Sequence, residues 1–147
     1  MKLGFGKKRK NKPEGETSTP AAQETPSHAP QLVVSAVSLL GGRTTQQDAL
    51  DYRLLPDGTL AAAVCDGMGG LNGGEQASRA ACSGFFQAYA QMNRKEPPDL
   101  DALARRLDRR VAALNDADGR PLDGGSTIVA AIVNGSRFHW LSVGDSR

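Results

Sequence analysis

The sequence predicts an α+β fold, because segments typical of strands and of amphipathic helices occur in separate blocks along the chain. Two turn signals, Pro56-Asp57-Gly58 and Asn134-Gly135, each separate two apolar segments. Between these two pairs, residues 75–115 carry apolar side chains at spacings of three and four, which is typical of helices. The resulting order β-ββ-αα-ββ favours strands that segregate from helices over a regular βαβ alternation.

The strands are predicted from β-branched content and from the turns. Residues 32–40 are rich in β-branched side chains and predict a first strand, which Gly41-Gly42 should end. Residues 49–55 and 59–65 flank the first turn and predict a hairpin. Residues 127–133 and 138–143 flank the Asn-Gly pair and predict a second one.

Two amphipathic helices are predicted between the hairpins. Residues 75–94 form the first, and Pro97-Pro98 should stop it. Asp99 is a candidate N-cap for a second helix that ends at about residue 115. Its apolar stripe consists of Leu100, Leu103, Leu107, Val111 and Leu114.

Composition excludes several classes of protein. The chain has 147 residues, enough for one domain at most, and 39% of them are hydrophobic. No apolar run approaches the ~20 residues of a membrane span, and no apolar segment follows the basic N-terminus, so a cytoplasmic location is expected. Cys65 and Cys82 lack metal-ligand spacing and are predicted to be buried hydrophobes.

Residues 1–31 are predicted to be a disordered tail, and residues 32–147 the folded part. The first 12 residues hold six Lys or Arg, and the following segment is rich in Pro, Ser and Thr. The alternatives for this tail are simple solvation and weak contact with an anionic surface. Residues 32–147 are nearly neutral and aromatic content is only 5%, so no nucleic-acid partner is expected.

The segment Asp66-Gly67-Met68-Gly69-Gly70 directly follows the apolar residues 60–65. A carboxylate that ends a buried strand beside a loop of small residues can hold a hard cation through carboxylate and backbone carbonyl oxygens. Asp-Gly is also a common turn signal. The residues alone leave both interpretations open.

Further motifs accompany this segment in a fixed order. They are Arg43-Thr44-Thr45-Gln46-Gln47-Asp48, Gly73-Gly74-Glu75-Gln76-Ala77-Ser78, Gly125-Ser126-Thr127 and Gly144-Asp145-Ser146-Arg147. Together, from about residue 31 onward, they resemble the N-terminal portion of the metal-dependent serine/threonine protein phosphatases (PPM family, type 2C) of the bacterial type. The resemblance implies part of a four-layer α-β-β-α sandwich, truncated after Gly-Asp-Ser-Arg.

The resemblance also implies an activity and its site. The activity is hydrolysis of phosphoserine and phosphothreonine in proteins with two Mn²⁺ or Mg²⁺ ions, and a third ion that binds more weakly. Asp66 and Asp48 would be the catalytic metal ligands, and the Gly67 carbonyl would bind one ion. Gln47 stands where many relatives have Glu, so it would act only through a bound water. Asp145 would serve the third ion, or else be a turn-forming residue at a strand end.

Other positions of the pattern give expectations of their own. Arg43 would grip the substrate phosphate; without the resemblance it is a solvated loop charge. Met68 stands where some relatives place a histidine general acid, and a thioether cannot donate a proton. Ser78, Ser126 and Thr127 are expected to be structural. The alternative to an enzyme is a catalytically inactive, phosphatase-like binding or regulatory module, or a truncated fragment of the enzyme.

Overall fold

The structure is a computed structural model that describes residues 32–69 and 73–146. The chain divides into two units, Met1–Val34 and Ser35–Arg147. Of the first unit only residues 32–34 are described, and they form neither helix nor strand. The predicted tail, residues 1–31, and Gly70, the last residue of the Asp66-Gly67-Met68-Gly69-Gly70 segment, lie outside the described residues.

An antiparallel sheet is the centre of the second unit. Its main strands are β1 (Asp48–Leu54), β2 (Leu60–Met68), β4 (Ile128–Asn134) and β5 (Arg137–Val143), in the spatial order β1-β2-β4-β5. A two-residue strand, β3 (Gly125–Ser126), pairs with the last residues of β2. The α+β prediction is therefore confirmed, with both hairpins at the predicted turns.

The two predicted helices are present as α1 (Gly73–Ala90) and α2 (Leu100–Ala112). Asp99 caps α2 as predicted, because its Oδ1 accepts a hydrogen bond from the Ala102 N–H at 2.9 Å. Helix α1 ends at Ala90, earlier than predicted, because the chain tightens there into a turn that closes with a bond from the Met92 N–H to the Tyr89 carbonyl. The prolines at 97 and 98 therefore follow a helix that has already ended.

The helices cover one face of the sheet, and the core lies between them. Strand residues of β2 alternate, so that Ala61, Ala63 and Cys65 point to the helices and are buried. Phe85 and Leu103 are fully buried on the helical side. The remaining buried core residues are Ala81, Cys82, Phe86, Ala88, Tyr89, Leu107, Ile128, Ala130 and Ile132. Both cysteines are thus buried, as predicted.

The predicted first strand is wrong. Residues 32–40 form neither strand nor helix, and Val37 and Leu39 are 74% and 78% exposed. β-branched content favours a strand, but a strand also needs the backbone of a neighbour. In the described part of the chain, no strand pairs with residues 35–40.

Strand β2 is longer than predicted, which changes the setting of Asp66. The expected end was Cys65, with Asp66 opening a loop, but the strand continues to Met68. The extension has a partner that lies nearly 60 residues further on: Gly67 pairs with Ser126, and Met68 with Gly125. Asp66 is therefore a strand residue, with paired neighbours on both sides.

The face of the sheet opposite the helices is apolar and exposed. The side chains that share it alternate with the buried ones along each strand. Its exposed large members include Tyr52, Leu54, Val64, Phe138 and Trp140. One sheet and one helical layer are two of the four layers that the resemblance implies. A contiguous apolar face of this kind is typical of a surface that another element covers.

Candidate functional site

Asp48 and Asp66 are directly opposite one another on neighbouring strands. The register of the β1–β2 hairpin fixes this pairing, since Leu54 pairs with Leu60 beside the turn and Asp48 with Asp66 at the far end. Both residues are exposed, on the face of the sheet that the helices do not cover. Two carboxylates on adjacent strands are thus presented side by side at one end of the sheet.

The electrostatics of Asp66 reflect these neighbours. Partial desolvation raises the pKa of Asp66, and a hydrogen bond with Asp48 and repulsion from that carboxylate raise it further. The Arg43 guanidinium acts in the opposite direction, and Asp145 adds a smaller repulsion. The other three charged residues predicted for this site, Asp48, Arg43 and Asp145, therefore all affect the pKa of Asp66.

Arg43 lies in the loop that precedes β1 and lines an open cleft together with Asp66. Its backbone N–H donates to the Leu40 carbonyl at 3.3 Å, closing the turn at Gly41, whose φ is +62°. Among the described residues, no hydrogen bond or ion pair engages its guanidinium. The other residues that line the cleft are Gly42, Thr44, Thr45, Gln47, Gly67 and Met68.

Gly67 is held tightly between two backbone segments. Its N–H donates to the Gln47 carbonyl at 3.1 Å. A Cβ at this position would overlap the carbonyl oxygens of Gln47 and Gly74, both of which are backbone atoms. The absence of a side chain at Gly67 therefore allows the first turn of α1 to contact the end of β2. The Gln47 side chain donates to the Gly69 carbonyl at 3.5 Å, so it lies beside the same loop.

Asp145 follows β5 in the turn formed by Gly144 and Ser146. Gly144 has a φ of +97° and lies against the Thr127 side chain. The Ser146 and Thr127 hydroxyls are 2.6 Å apart. The turn that carries Asp145 is therefore hydrogen-bonded to Thr127, the residue that lies opposite Asp66 on the neighbouring strand segment.

Two residues that the sequence analysis took as structural contact Asp66 directly. Thr127 Oγ1 accepts a hydrogen bond from the Asp66 N–H at 3.1 Å, and Ser126 Oγ donates to the Asp66 carbonyl at 3.2 Å. The sequence carries no signal for these bonds, because they join residues 60 and 61 positions apart. Ser78, by contrast, donates to the Glu75 carbonyl of its own helix, its one side-chain hydrogen bond within the described residues.

The structure thus brings Arg43, Gln47, Asp48, Asp66 and Gly67 to one end of the sheet, with Asp145 within electrostatic reach of Asp66. The carboxylates form a pair and not a larger cluster. Within residues 32–69 and 73–146, no three His, Cys, Asp or Glu side chains lie together in a way that could hold a metal ion. In the same part of the chain, no helix is long and apolar enough to cross a membrane.

A family model described as protein phosphatase 2C matches residues 39–147. Among curated protein sequences, none is significantly similar to the chain. Solved structures of bacterial phosphatases do share its fold.

Three of these structures illustrate the similarity. The serine/threonine phosphatase of S. agalactiae is 24% identical, with a TM-score of 0.58, and the match covers 71% of this chain and 45% of that one. A bacterial serine phosphatase variant is 24% identical, with a TM-score of 0.60 and coverage of 71% and 50%. The Mycobacterium tuberculosis serine/threonine phosphatase PstP/Ppp is 26% identical, with a TM-score of 0.57 and coverage of 71% and 43%. The chain therefore spans half or less of the length of each.

Proposed function

The chain belongs to the protein phosphatase 2C family of serine/threonine phosphatases, and we propose that the protein hydrolyses phosphoserine and phosphothreonine in other proteins. The observation that carries this proposal is the direct pairing of Asp48 with Asp66, beside a cleft that Arg43 also lines. Because the chain spans half or less of its solved relatives, the proposal concerns the full-length gene product.

The carboxylate pair fits a divalent cation. Two carboxylates lie opposite one another on adjacent strands. Desolvation, then the hydrogen bond with Asp48 and the repulsion from it, raise the pKa of Asp66, and a cation held between the carboxylates would relieve that repulsion. The available donors are oxygen atoms, which favour Mn²⁺ or Mg²⁺ over Zn²⁺. When bound, such ions neutralise the phosphate and make water a better nucleophile.

The further ligands in the proposal follow the family pattern. Asp48 and Asp66 are the principal ligands, and the Gly67 carbonyl adds an uncharged oxygen beside Asp66. Gln47 lies at the edge of the same loop, where its amide would hold a water molecule. By the same family pattern Asp145 would serve a third, weaker ion, and it lies within electrostatic reach of Asp66.

Arg43 is proposed to bind the phosphate of the substrate. Its guanidinium has no hydrogen-bond or ion-pair partner among the described residues, and it opens onto the cleft that contains Asp66. A planar guanidinium can form two parallel, charge-assisted bonds to a phosphate, which orient the ligand as well as attract it. Arg43 would therefore place the phosphorus atom close to the carboxylate pair.

Protonation of the leaving alkoxide is assigned to water in this proposal. Met68 lines the cleft and is 53% exposed. In the family pattern, some relatives have a histidine at this position. The Met68 thioether cannot donate a proton. We therefore expect the reaction to depend on the pKa of the leaving alcohol more strongly than in relatives that have a general acid.

A second candidate is a catalytically inactive module that binds phosphorylated proteins through Arg43. The observation that favours it is the small number of carboxylates: the described residues offer a pair at this site, and no third His, Cys, Asp or Glu side chain joins that pair to form a metal-binding group. A module of this kind would bind a phosphopeptide and leave it intact.

The decisive experiment measures hydrolysis of p-nitrophenyl phosphate and a phosphothreonine peptide by the full-length gene product, with Mn²⁺ and with EDTA. We expect activity with Mn²⁺, its loss in EDTA, and its loss in Asp66→Asn. Asp101→Asn is the matched control, because Asp101 is an exposed carboxylate on α2 whose partner is Arg105. Full activity in EDTA, or in Asp66→Asn, would refute the metal mechanism, and peptide binding without turnover would favour the inactive module.

The partners in the proposal are proteins phosphorylated on serine or threonine. A cytoplasmic location and weak contact of the basic N-terminal tail with anionic surfaces, both expected from the sequence, remain part of it.

A further inference from the structure

The backbone of Asp66 is held by an unusual set of hydrogen bonds from one neighbouring segment. Its N–H donates to the side-chain oxygen of Thr127 at 3.1 Å. Its carbonyl accepts from the Thr127 N–H at 2.9 Å and from the Ser126 hydroxyl at 3.2 Å. Both polar backbone groups of this aspartate are thus fixed by two consecutive residues.

Thr127 lies where β3 has ended and β4 has not begun. The pairs on either side, Val64 with Val129 and Gly67 with Ser126, have the same register, which places Thr127 opposite Asp66. At this position the hydroxyl of Thr127, and not a carbonyl, receives the Asp66 N–H. The Thr127 side chain therefore replaces a backbone carbonyl as hydrogen-bond acceptor at the break between β3 and β4.

The Thr127 hydroxyl also has a second partner. Thr127 is only 2% exposed, and a buried hydroxyl is costly unless its hydrogen bonds are made. Its oxygen lies 2.6 Å from the Ser146 hydroxyl, in the turn that carries Asp145. One buried side chain therefore connects the strand of Asp66 with the turn of Asp145, although these aspartates are far apart in the sequence.

We propose that Thr127 is a positioning residue for the metal site: its hydroxyl fixes Asp66 relative to the Asp145 turn and thereby sets the affinity for the divalent cation. The inference rests on the proposed function, since it takes Asp66 as a ligand of that cation. It assigns Thr127 no contact with substrate. Removing the hydroxyl should leave the fold and the carboxylates in place and allow Asp66 to move.

The test compares Thr127→Val, Thr127→Ser and Thr59→Val in the full-length gene product. Thr59 is the matched control, because it is equally buried at 2% and its hydroxyl accepts a hydrogen bond from Asn134 at the opposite end of the sheet. Cation affinity is measured by calorimetric titration with Mn²⁺. Hydrogen exchange and the NMR shift of the Asp66 amide are measured without any metal.

We expect Thr127→Val to weaken Mn²⁺ binding by about five- to tenfold, the equivalent of one lost hydrogen bond, and to increase exchange at the Asp66 amide. Thr127→Ser keeps the hydroxyl and should bind close to the wild-type value, and Thr59→Val should bind as wild type. Should Thr127→Val unfold the protein, Ser146→Ala carries the test, because it removes the second partner of the hydroxyl, and it too should weaken Mn²⁺ binding.

Unchanged Mn²⁺ affinity in Thr127→Val, or an equal loss in Thr59→Val, would overturn the positioning role. A failure of the proposed metal site looks different: the wild-type protein itself would then bind no Mn²⁺. In that event the positioning role in a metal site falls as well, and the amide measurement still shows whether the hydrogen bond from Asp66 to Thr127 exists in solution.

Discussion

Substituting alanine for Gly67 should damage both the fold and the site, because the added methyl group has no space. The Cβ would lie 2.5 Å from the Gln47 carbonyl oxygen and closer still to that of Gly74. An unstrained contact needs about 3.5 Å, so the backbone must move by about 1 Å. Neither neighbour is a side chain that could rotate away.

This overlap allows the size of the effect to be worked out. Overpacking of a closely packed site costs about 1–3 kcal/mol, and for a domain of about 150–250 residues each kcal/mol lowers Tm by about 2–4 °C. A displacement of about 1 Å at the end of β2 also moves the carbonyl of Gly67 and the neighbouring Asp66. Misplacement on that scale can cost about 10²-fold in rate, so kcat/KM should fall more than the stability loss alone predicts.

The assay is thermal and urea unfolding of the full-length gene product, followed by Mn²⁺-dependent hydrolysis of p-nitrophenyl phosphate. Gly42→Ala is the matched control for stability, because a Cβ at Gly42 meets no atom within 4 Å and its φ is not positive. A Tm of Gly67→Ala equal to that of Gly42→Ala, together with unchanged kcat/KM, would show that α1 does not press on β2 as the structure indicates.

Three further outcomes are expected. Arg43→Ala should raise KM for a phosphopeptide with little change in Tm, since its proposed partner is the ligand; a large Tm loss with normal kinetics would make Arg43 structural. Hydrogen bonds from Thr59, and to a lesser degree Arg94, lower the pKa of Asp57. The stability they contribute is therefore present above the unfolded pKa and lost as pH falls through the folded one. In urea unfolding, wild type should thus be more stable than Asp57→Asn above about pH 4, and the difference should shrink below it; a difference that does not change with pH would contradict this. The 147-residue chain alone should bind ANS through its exposed sheet face, and Trp140→Lys should reduce the signal; no ANS binding would mean that the face is covered.

Local signals predicted most of the secondary structure correctly. The Asp99 cap, the apolar stripe of α2 as far as Val111 and both hairpin turns depend on residues close together in sequence, and the structure contains each of them. Helix α2 ends at Ala112, earlier than the predicted residue 115, so Leu114 lies beyond it. At the second turn Asn134 pairs with Arg137, so Gly135, with a φ of +56°, is the first turn residue and not the second. The sequence located the turn, and the strand register decided its exact residues.

The errors occurred where a distant partner decides the outcome. Residues 32–40 have the composition of a strand but no neighbour among the described strands, whereas β2 continues past Cys65 because β3 pairs with it. At the candidate site, the proximity of Asp48 and Asp66 follows from hairpin register, which a sequence can suggest. The bond from Asp66 to Thr127 spans 61 residues and has no local signal, so only the folded chain reveals it.

The exposed apolar face and the candidate site form one continuous surface. Asp48 and Asp66 lie on the same face as Tyr52 and Val64, since strand side chains alternate and all four belong to the set that points away from the helices. Any element that packs on this face to bury its apolar side chains therefore also approaches the carboxylate pair. Such an element would remove water from the pair, strengthen its repulsion, and so increase the benefit of a bound cation. Stability of the covered sheet and affinity for the cation should consequently rise and fall together in variants that change this face.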